Sequence, residues 1–318
     1  MTMQFFESAR IAVVSGGRST ERERSLMSGR AAWESLERQG YTTRLLDSAD
    51  KDFADEVRSA DVAFLAIAGK YAEDGKLQGL LECLGIPYTG SGVAASAVGM
   101  HKTRAKTLAA AAGVAVLPGV TLPARDRDVI TQAITERITF PLILKPLSEG
   151  GSIGMTVCRD TSQLAAALPT IDPADGWFAE PFTTGIPVSC GVLEVDGSPM
   201  ALPPLATIPV AAEFYDYDTK RDKTKYRYEC PANLPSLTLD TITTAALTAH
   251  DALGCTGYSR SDFIVTSDGR PVWLEINTLP GLSHTGNLAT MASAAGIDYD
   301  QLIRMILATA NTSGEYRP

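Results

Sequence analysis

The stretch that decides the fold runs Gly257-Tyr258-Ser259-Arg260-Ser261-Asp262-Phe263-Ile264-Val265, then Thr266-Ser267-Asp268-Gly269-Arg270, then Pro271-Val272-Trp273-Leu274-Glu275-Ile276-Asn277. Two apolar-alternating runs flank Asp268-Gly269, the dipeptide that suits a type I′ turn because both central residues take positive φ. A two-residue turn centred there sets Asp262 opposite Glu275 and Arg260 opposite Asn277. Side chains alternate along a strand, so these four share one face, and Phe263, Val265, Leu274 and Ile276 share the other. Opposed carboxylates, with Cβ atoms roughly 4.5–5.5 Å apart, destabilise a sheet unless a cation lies between them. Two carboxylates and an amide oxygen make a hard donor set suited to Mg²⁺ shared with phosphates. A solvated strand face is the alternative at this point.

Working outward, 318 residues exceed one typical domain, so two or three are expected. The net charge of −9 argues against a nucleic-acid or anionic-membrane partner, which needs a basic footprint. Five scattered cysteines without a CxxC pair, and only three histidines, fit neither a zinc site nor a disulfide framework. Reduced thiols in the cytoplasm fit better, and neither a signal peptide nor a membrane span is read.

Residues 10–90 alternate apolar runs with helical patterns. Strands are expected at 10–15, 41–47 and 61–68 and a helix at 25–39, in the rhythm of a parallel sheet. Beyond residue 100 come a helix at 102–112, strands at 140–146, 176–182 and 188–195, a polar loop at 213–231, a helix at 238–253, the hairpin, and a last helix at 300–309. The expected domains are 1–99, 100–185 and 186–318.

Four further stretches carry chemistry. Gly16-Gly17-Arg18-Ser19-Thr20-Glu21-Arg22-Glu23 lies at the carboxyl end of the first strand, where α/β sheets place ligands, or is a tight turn. Lys145 ends an apolar strand before Glu149-Gly150-Gly151-Ser152-Ile153-Gly154, a loop able to cradle phosphate or merely a flexible hairpin. Glu213–Arg221 reads as a lid bearing Lys220, or as a surface loop. Pro280-Gly281 either closes a strand or offers a backbone N–H to an oxyanion beside Arg260. Gly90-Ser-Gly92-Val-Ala-Ala95 is a weak dinucleotide-like match with no acidic residue at the required offset.

Taken in order, GGRSTERE, AEDGKLQG, GIPYTGSGVAAS, His101-Lys102, LILKPLSEGGSIGM, FYDYDTK, GYSRSDF and LEINTLPG resemble the D-alanine–D-alanine ligase family of the ATP-grasp superfamily across residues 16 to 281. The resemblance implies an α/β, three-domain ATP-grasp fold: an N-terminal parallel α/β domain, with central and C-terminal α+β domains clamping ATP. It implies ATP contacts from Lys102, Lys145, Ser152, Glu180 and Lys220, and two Mg²⁺ ions on Asp262, Glu275 and Asn277. It implies that Arg260 and Gly281 stabilise a tetrahedral intermediate, that Glu21 holds the first amino acid's ammonium, and that Arg221, Asn287 and Leu288 meet substrate. The partners implied are small amino acids, and a homodimer is typical of the family.

The chain departs from the family pattern at Gly151 and Arg221, where serine and tyrosine usually join the N-terminal glutamate, and at Ala68, Pro187 and Asn287, in place of a histidine, a ribose-binding acid and a serine. The function read is an ATP-dependent carboxylate–amine ligase acting through an acyl phosphate. The rivals are a paralogue ligating or cyclising another amino acid, a catalytically inactive nucleotide-binding regulator, and an NAD-dependent oxidoreductase resting on Gly90–Ala95 alone.

Overall fold

The computed structural model describes residues 3–122, 127–148, 154–171, 176–209 and 225–310. Its first sheet consists of β1 (Arg10–Ser15), β2 (Thr42–Asp47) and β3 (Val62–Leu65), all parallel, in the order β2-β1-β3. Ile11, Ala12, Val13 and Val14 form a continuous apolar run because both faces of β1 are covered. The helix Arg22–Arg38 follows β1 and ends before Gly40, whose φ of +85° stops it.

A second, antiparallel sheet holds β4 (Val120–Thr121), β5 (Leu142–Pro146), β6 (Thr156–Cys158) and β7 (Trp177–Pro181), in the order β4-β7-β5-β6. The third is also antiparallel, with β8 (Ile186–Val195), β9 (Ser198–Ala201), β10 (Leu205–Pro209), β11 (Tyr226–Glu229), β12 (Tyr258–Val265) and β13 (Pro271–Asn277). Its path is β11-β10-β8-β12-β13, with β9 on the edge of β8.

Two tethers bring the parallel sheet to the third. The buried Tyr258 hydroxyl donates to the Leu65 carbonyl at 3.0 Å, fastening the start of β12 to the end of β3. The last helix, Tyr299–Ala308, is opened by an Asp298/Gln301 capping box and packs Leu302, Ile303, Ile306 and Leu307 into the same core as β1–β3. The carboxyl ends of β1 and β3 therefore face β12 and β13.

The hairpin corrects one expectation and keeps another. Asp262 lies opposite Glu275 and Arg260 opposite Asn277, but Phe263 lies opposite Trp273, so Leu274 is an extra, bulged residue. Trp273, not Leu274, joins Phe263, Val265 and Ile276 in the core, while Leu274 turns to the cavity described below. The turn is also longer than two residues. Thr266 N–H donates to the Arg270 carbonyl at 3.0 Å, and Gly269 alone in the turn has positive φ, at +80°. The Asp268-Gly269 pair is thus not a type I′ turn; the loop contains three residues, and the bulge restores the register at the acidic pair.

The Gly90–Ala95 stretch is a turn into the helix Val93–Met100. A Cβ on Gly90 would lie 2.7 Å from Leu279 Cδ2, so this backbone approaches protein where a dinucleotide site would approach pyrophosphate. Lys220, Arg221, Gly151 and Ser152 lie outside the described residues.

Candidate active site

One cavity of about 540 Å³ opens where the three sheets meet, and it reaches from Glu21 at one end to Glu180 at the other. Its first wall comes from the turn after β1. Gly16 and Gly17 have φ of +70° and +82°, and the Gly17 N–H donates to Asp47 Oδ1 at 3.0 Å. Arg22 ties Asp47 to this turn through a 2.6 Å ion pair and a 2.8 Å bond to the Gly17 carbonyl. Burial opposes ionisation of Asp47, but Arg22 and the two backbone donors outweigh it and hold its carboxyl at about 2. Glu21, set at the head of the next helix, is presented to the cavity.

Glu21 has a carboxylate neighbour that sequence reasoning missed. Glu73 is buried, lines the cavity, and accepts the Gly69 N–H at 2.6 Å. Glu21 Oε2 crowds the same glycine, 3.2 Å from where a Cβ would stand. Burial and the charge of Glu21 push the Glu73 carboxyl up to about 8, although the Gly69 N–H and Arg260 oppose the rise. Glu73 stood within the AEDG run; an acidic pair around a tight glycine turn was its only signal.

The second wall is the hairpin. Arg260 grips Asp262 through two bonds of 2.8 Å, a planar fork matched to a carboxylate. Burial disfavours the Arg260 charge, but Asp262 and Glu275 outweigh it and raise its pKa. Ser189 Oγ donates to Asp262 Oδ1 at 2.7 Å and Asn277 Nδ2 to Oδ2 at 3.3 Å. Glu275 is met by Lys102 at 3.3 Å. Each opposed carboxylate thus carries a basic partner, which relieves their repulsion. With its nitrogen on Asp262, Asn277 has Oδ1 as its remaining acceptor, so the trio supplies only oxygens and fits Mg²⁺. Among the described residues, no cluster of three or more histidine, cysteine or acidic side chains offers a metal site of another kind.

The far end is built on β5, β7 and the helix Lys102–Ala111. Glu180 is almost wholly buried and receives Lys145 at 2.5 Å and also Lys106. Burial alone would raise the Glu180 pKa and lower that of Lys106. Lys145 and Lys106 outweigh burial at Glu180 and hold it ionised, while burial prevails at Lys106. Lys106 was missed, although it stands one helical turn beyond Lys102. Ile143, Met155, Phe182, Pro187 and Leu274 give this end apolar walls suited to a planar ring.

Of the residues singled out from sequence, Glu21, Lys145, Glu180, Arg260, Asp262, Glu275, Asn277, Gly281 and Asn287 line this cavity. Lys102 lies behind Glu275, in a small recess shared with Glu73 and Asn277. Leu288 is buried beneath Asn287, its Cδ1 against Gly191. Ala68 lines the cavity with a methyl group, and its backbone is held by Ser25 and Ser19.

A parallel α/β sheet and two antiparallel sheets meeting over a cleft with Lys145 on its wall and acidic residues on the last hairpin define an ATP-grasp fold. The family model described as "D-ala D-ala ligase N-terminus" matches residues 42–91, and "D-ala D-ala ligase C-terminus" matches residues 108–308. The D-alanine–D-alanine ligase of Geotalea uraniireducens is 40% identical over 313 residues, 98% of each chain. That of Nitrosomonas eutropha is 39% identical over 307 residues, covering 96% of this chain and 98% of its own. The solved structure of D-alanine–D-alanine ligase from Bacillus anthracis complexed with ATP superposes with a TM-score of 0.81 at 31% identity, covering 95% of this chain and 97% of that one. VanG D-Ala:D-Ser ligase from Enterococcus faecalis gives 0.79 at 27% identity, covering 94% and 98%. The chain belongs to the D-alanine–D-alanine ligase family.

Proposed function

We propose that this protein is an ATP-dependent ligase that joins two molecules of D-alanine. The observation that carries the reading is the single cavity that sets Glu21 at one end, the Arg260–Asp262–Glu275–Asn277 face in the middle, and Lys145 with Glu180 at the other end. One chamber can therefore hold an ammonium, a phosphate chain and a purine ring in sequence. The near-full-length likeness to D-alanine–D-alanine ligases supports this substrate over a paralogue that ligates or cyclises another amino acid, and over an inactive regulator.

The adenine lies against Phe182, Leu274 and Ile143, with Glu180 at the polar edge of this end. Lys145 and Lys102 face the phosphates as point charges. Asp262, Glu275 and Asn277 would hold Mg²⁺, probed by removal with chelator; when bound, it neutralises charge on the β- and γ-phosphates. Arg260 and Lys102 pair with Asp262 and Glu275 here, and with Mg²⁺ held by those carboxylates their N–H groups would be available to phosphate or substrate oxygens.

Glu21 holds the ammonium of the first D-alanine and aims its carboxylate along the cavity. One carboxylate oxygen attacks the γ-phosphorus, the bond to the β-γ bridging oxygen breaks, and ADP departs, leaving an acyl phosphate. The second ammonium gives one proton to water, the free amine attacks the acyl carbon, and the surplus proton left on nitrogen passes to the departing phosphate. Arg260 and the Gly281 N–H stabilise the oxyanion, and the C–O bond to phosphate then breaks to leave the amide. Residues 1–99, 100–185 and 186–318 are proposed as the three units that bring these parts together, and a homodimer belongs to the same reading.

The test is phosphate release from Mg-ATP by purified protein given D-alanine, with products read by mass. D-Alanyl-D-alanine is expected. An inert D-alanine beside an active, different amino acid would overturn the assignment.

A further inference from the structure

Asn287 is the first residue of the helix Asn287–Ala294 and stands half-buried at the cavity wall. An asparagine amide presents an acceptor at one end and two N–H donors at the other, in nearly the same shape. Which end faces the cavity is decided by its neighbours.

Those neighbours form a chain of fixed sense. Tyr228 Oη on β11 donates to Asn287 Oδ1 at 2.5 Å. Asn287 Nδ2 donates to Ser189 Oγ at 3.3 Å, and Ser189 Oγ donates to Asp262 Oδ1 at 2.7 Å. The sense is set at the acidic end. Both Asp262 oxygens already accept N–H groups from Arg260 and Asn277, so Ser189 commits its single proton to Asp262 Oδ1 and can only accept from Asn287. The amide must then turn its NH₂ to Ser189 and its carbonyl oxygen to Tyr228, which must donate. A flipped amide would set two acceptors against each other at Ser189. One amide N–H is used on Ser189; the second remains for a ligand.

We propose that Tyr228 is a positioning residue that locks the Asn287 amide with its NH₂ toward the cavity, so that the second N–H receives the α-carboxylate of the second amino acid. The inference rests on the ligase reading above and deepens it. Discrimination at this subsite comes from a donor held in place by a hydroxyl on another strand, and it favours a ligand bearing acceptor oxygens over one bearing a cation. The same chain joins this subsite to Asp262, one of the proposed metal ligands.

The experiment is steady-state kinetics with Mg-ATP and varied D-alanine, resolving the two amino-acid KM values, for wild type, Tyr228→Phe, Asn287→Ser and the double variant. Tyr228→Phe keeps the ring and loses only the hydroxyl, and melting curves verify that it is folded. Loss of one oriented, charge-assisted hydrogen bond raises the second-site KM about ten-fold or more, with the first-site KM and the ATP KM unchanged. A serine hydroxyl rotates freely and needs no lock, so in the Asn287→Ser background the Tyr228→Phe change is silent. An unchanged second-site KM in Tyr228→Phe, or the same rise in both backgrounds, would overturn the proposal. A wild type that accepts a different second amino acid overturns the substrate assignment alone, and the lock is then measured by the same ratio on that amino acid. Absence of phosphate release with any amino acid overturns both.

Discussion

At the scale of single residues, the opposed acidic pair of the hairpin carries the heaviest demand. Glu275→Gln removes one charge of the proposed metal set and is expected to lower kcat by about two orders of magnitude or more, since electrostatic groups at a phosphoryl-transfer site act largely through positioning and charge. Near-normal turnover in that variant would remove Glu275 from the metal set. Glu73 makes a different prediction. Its folded-state pKa, about 8, lies above its ordinary value of 4.5, so between those limits the folded protein binds more protons than the unfolded chain. Stability then falls as pH rises through that window. Glu21, Arg260, Tyr258 and the Gly69 and Leu279 N–H groups are the groups that face or act on it. Glu73→Gln is expected to flatten this part of the stability profile, read by denaturant unfolding at pH 5 and pH 8.5. A profile as steep as wild type would assign the slope to another group.

At the scale of elements, sequence reading succeeded where side-chain chemistry was distinctive and failed where two similar residues competed for one place. Arg260, Asp262, Glu275 and Asn277 pair as expected, although through a longer turn and a bulge whose register shifts cancel. The bulge was not legible, because Trp273 and Leu274 are both apolar and either could face the core. Indole bonding decided it: Trp273 Nε1 reaches the buried Ser261 Oγ at 3.0 Å. The helices Val93–Met100 and Asn287–Ala294 were not read at all, being short, rich in alanine and weak in periodicity. Glu180 was named as a nucleotide-side group through family resemblance, while its two buried lysine partners follow only from β5, β7 and a helix meeting in space. The Tyr258 tether also belongs to this scale. Tyr258→Phe leaves a buried carbonyl without its donor, and a loss of about 1–3 kcal/mol is expected in chemical denaturation. A loss near zero would mean that packing alone aligns β12 with β3.

At the scale of the whole molecule, the cavity is shared among three sheets, so ligand binding and global stability are linked. A non-hydrolysable ATP analogue with Mg²⁺, at about a hundred times its Kd, is expected to stabilise the fold by about 2.7 kcal/mol, measured as a rise in melting temperature. No rise would place the nucleotide elsewhere. No helix among the described residues is long and apolar enough to cross a membrane. The last helix packs on the helix Arg22–Arg38 and on β8 within one shared core, and Leu302→Ala at that wholly buried position is expected to cost about 2–5 kcal/mol. A cost below about 1 kcal/mol would show that the site collapses readily around the change.

That last helix also bears on how such a chain can be recombined. Residues 299–308 lie far along the chain from Glu21 yet pack against the helix Arg22–Arg38 that follows it, as well as against β8 and the helix Asn287–Ala294. A chimera that exchanged only the N-terminal segment would join a foreign segment to a helix shaped for another partner. Exchange of first-substrate recognition between relatives therefore has to match residues 299–308 to both sets of neighbours, and variation in the helix Arg22–Arg38 is tied to variation in residues 299–308 by a single packed core.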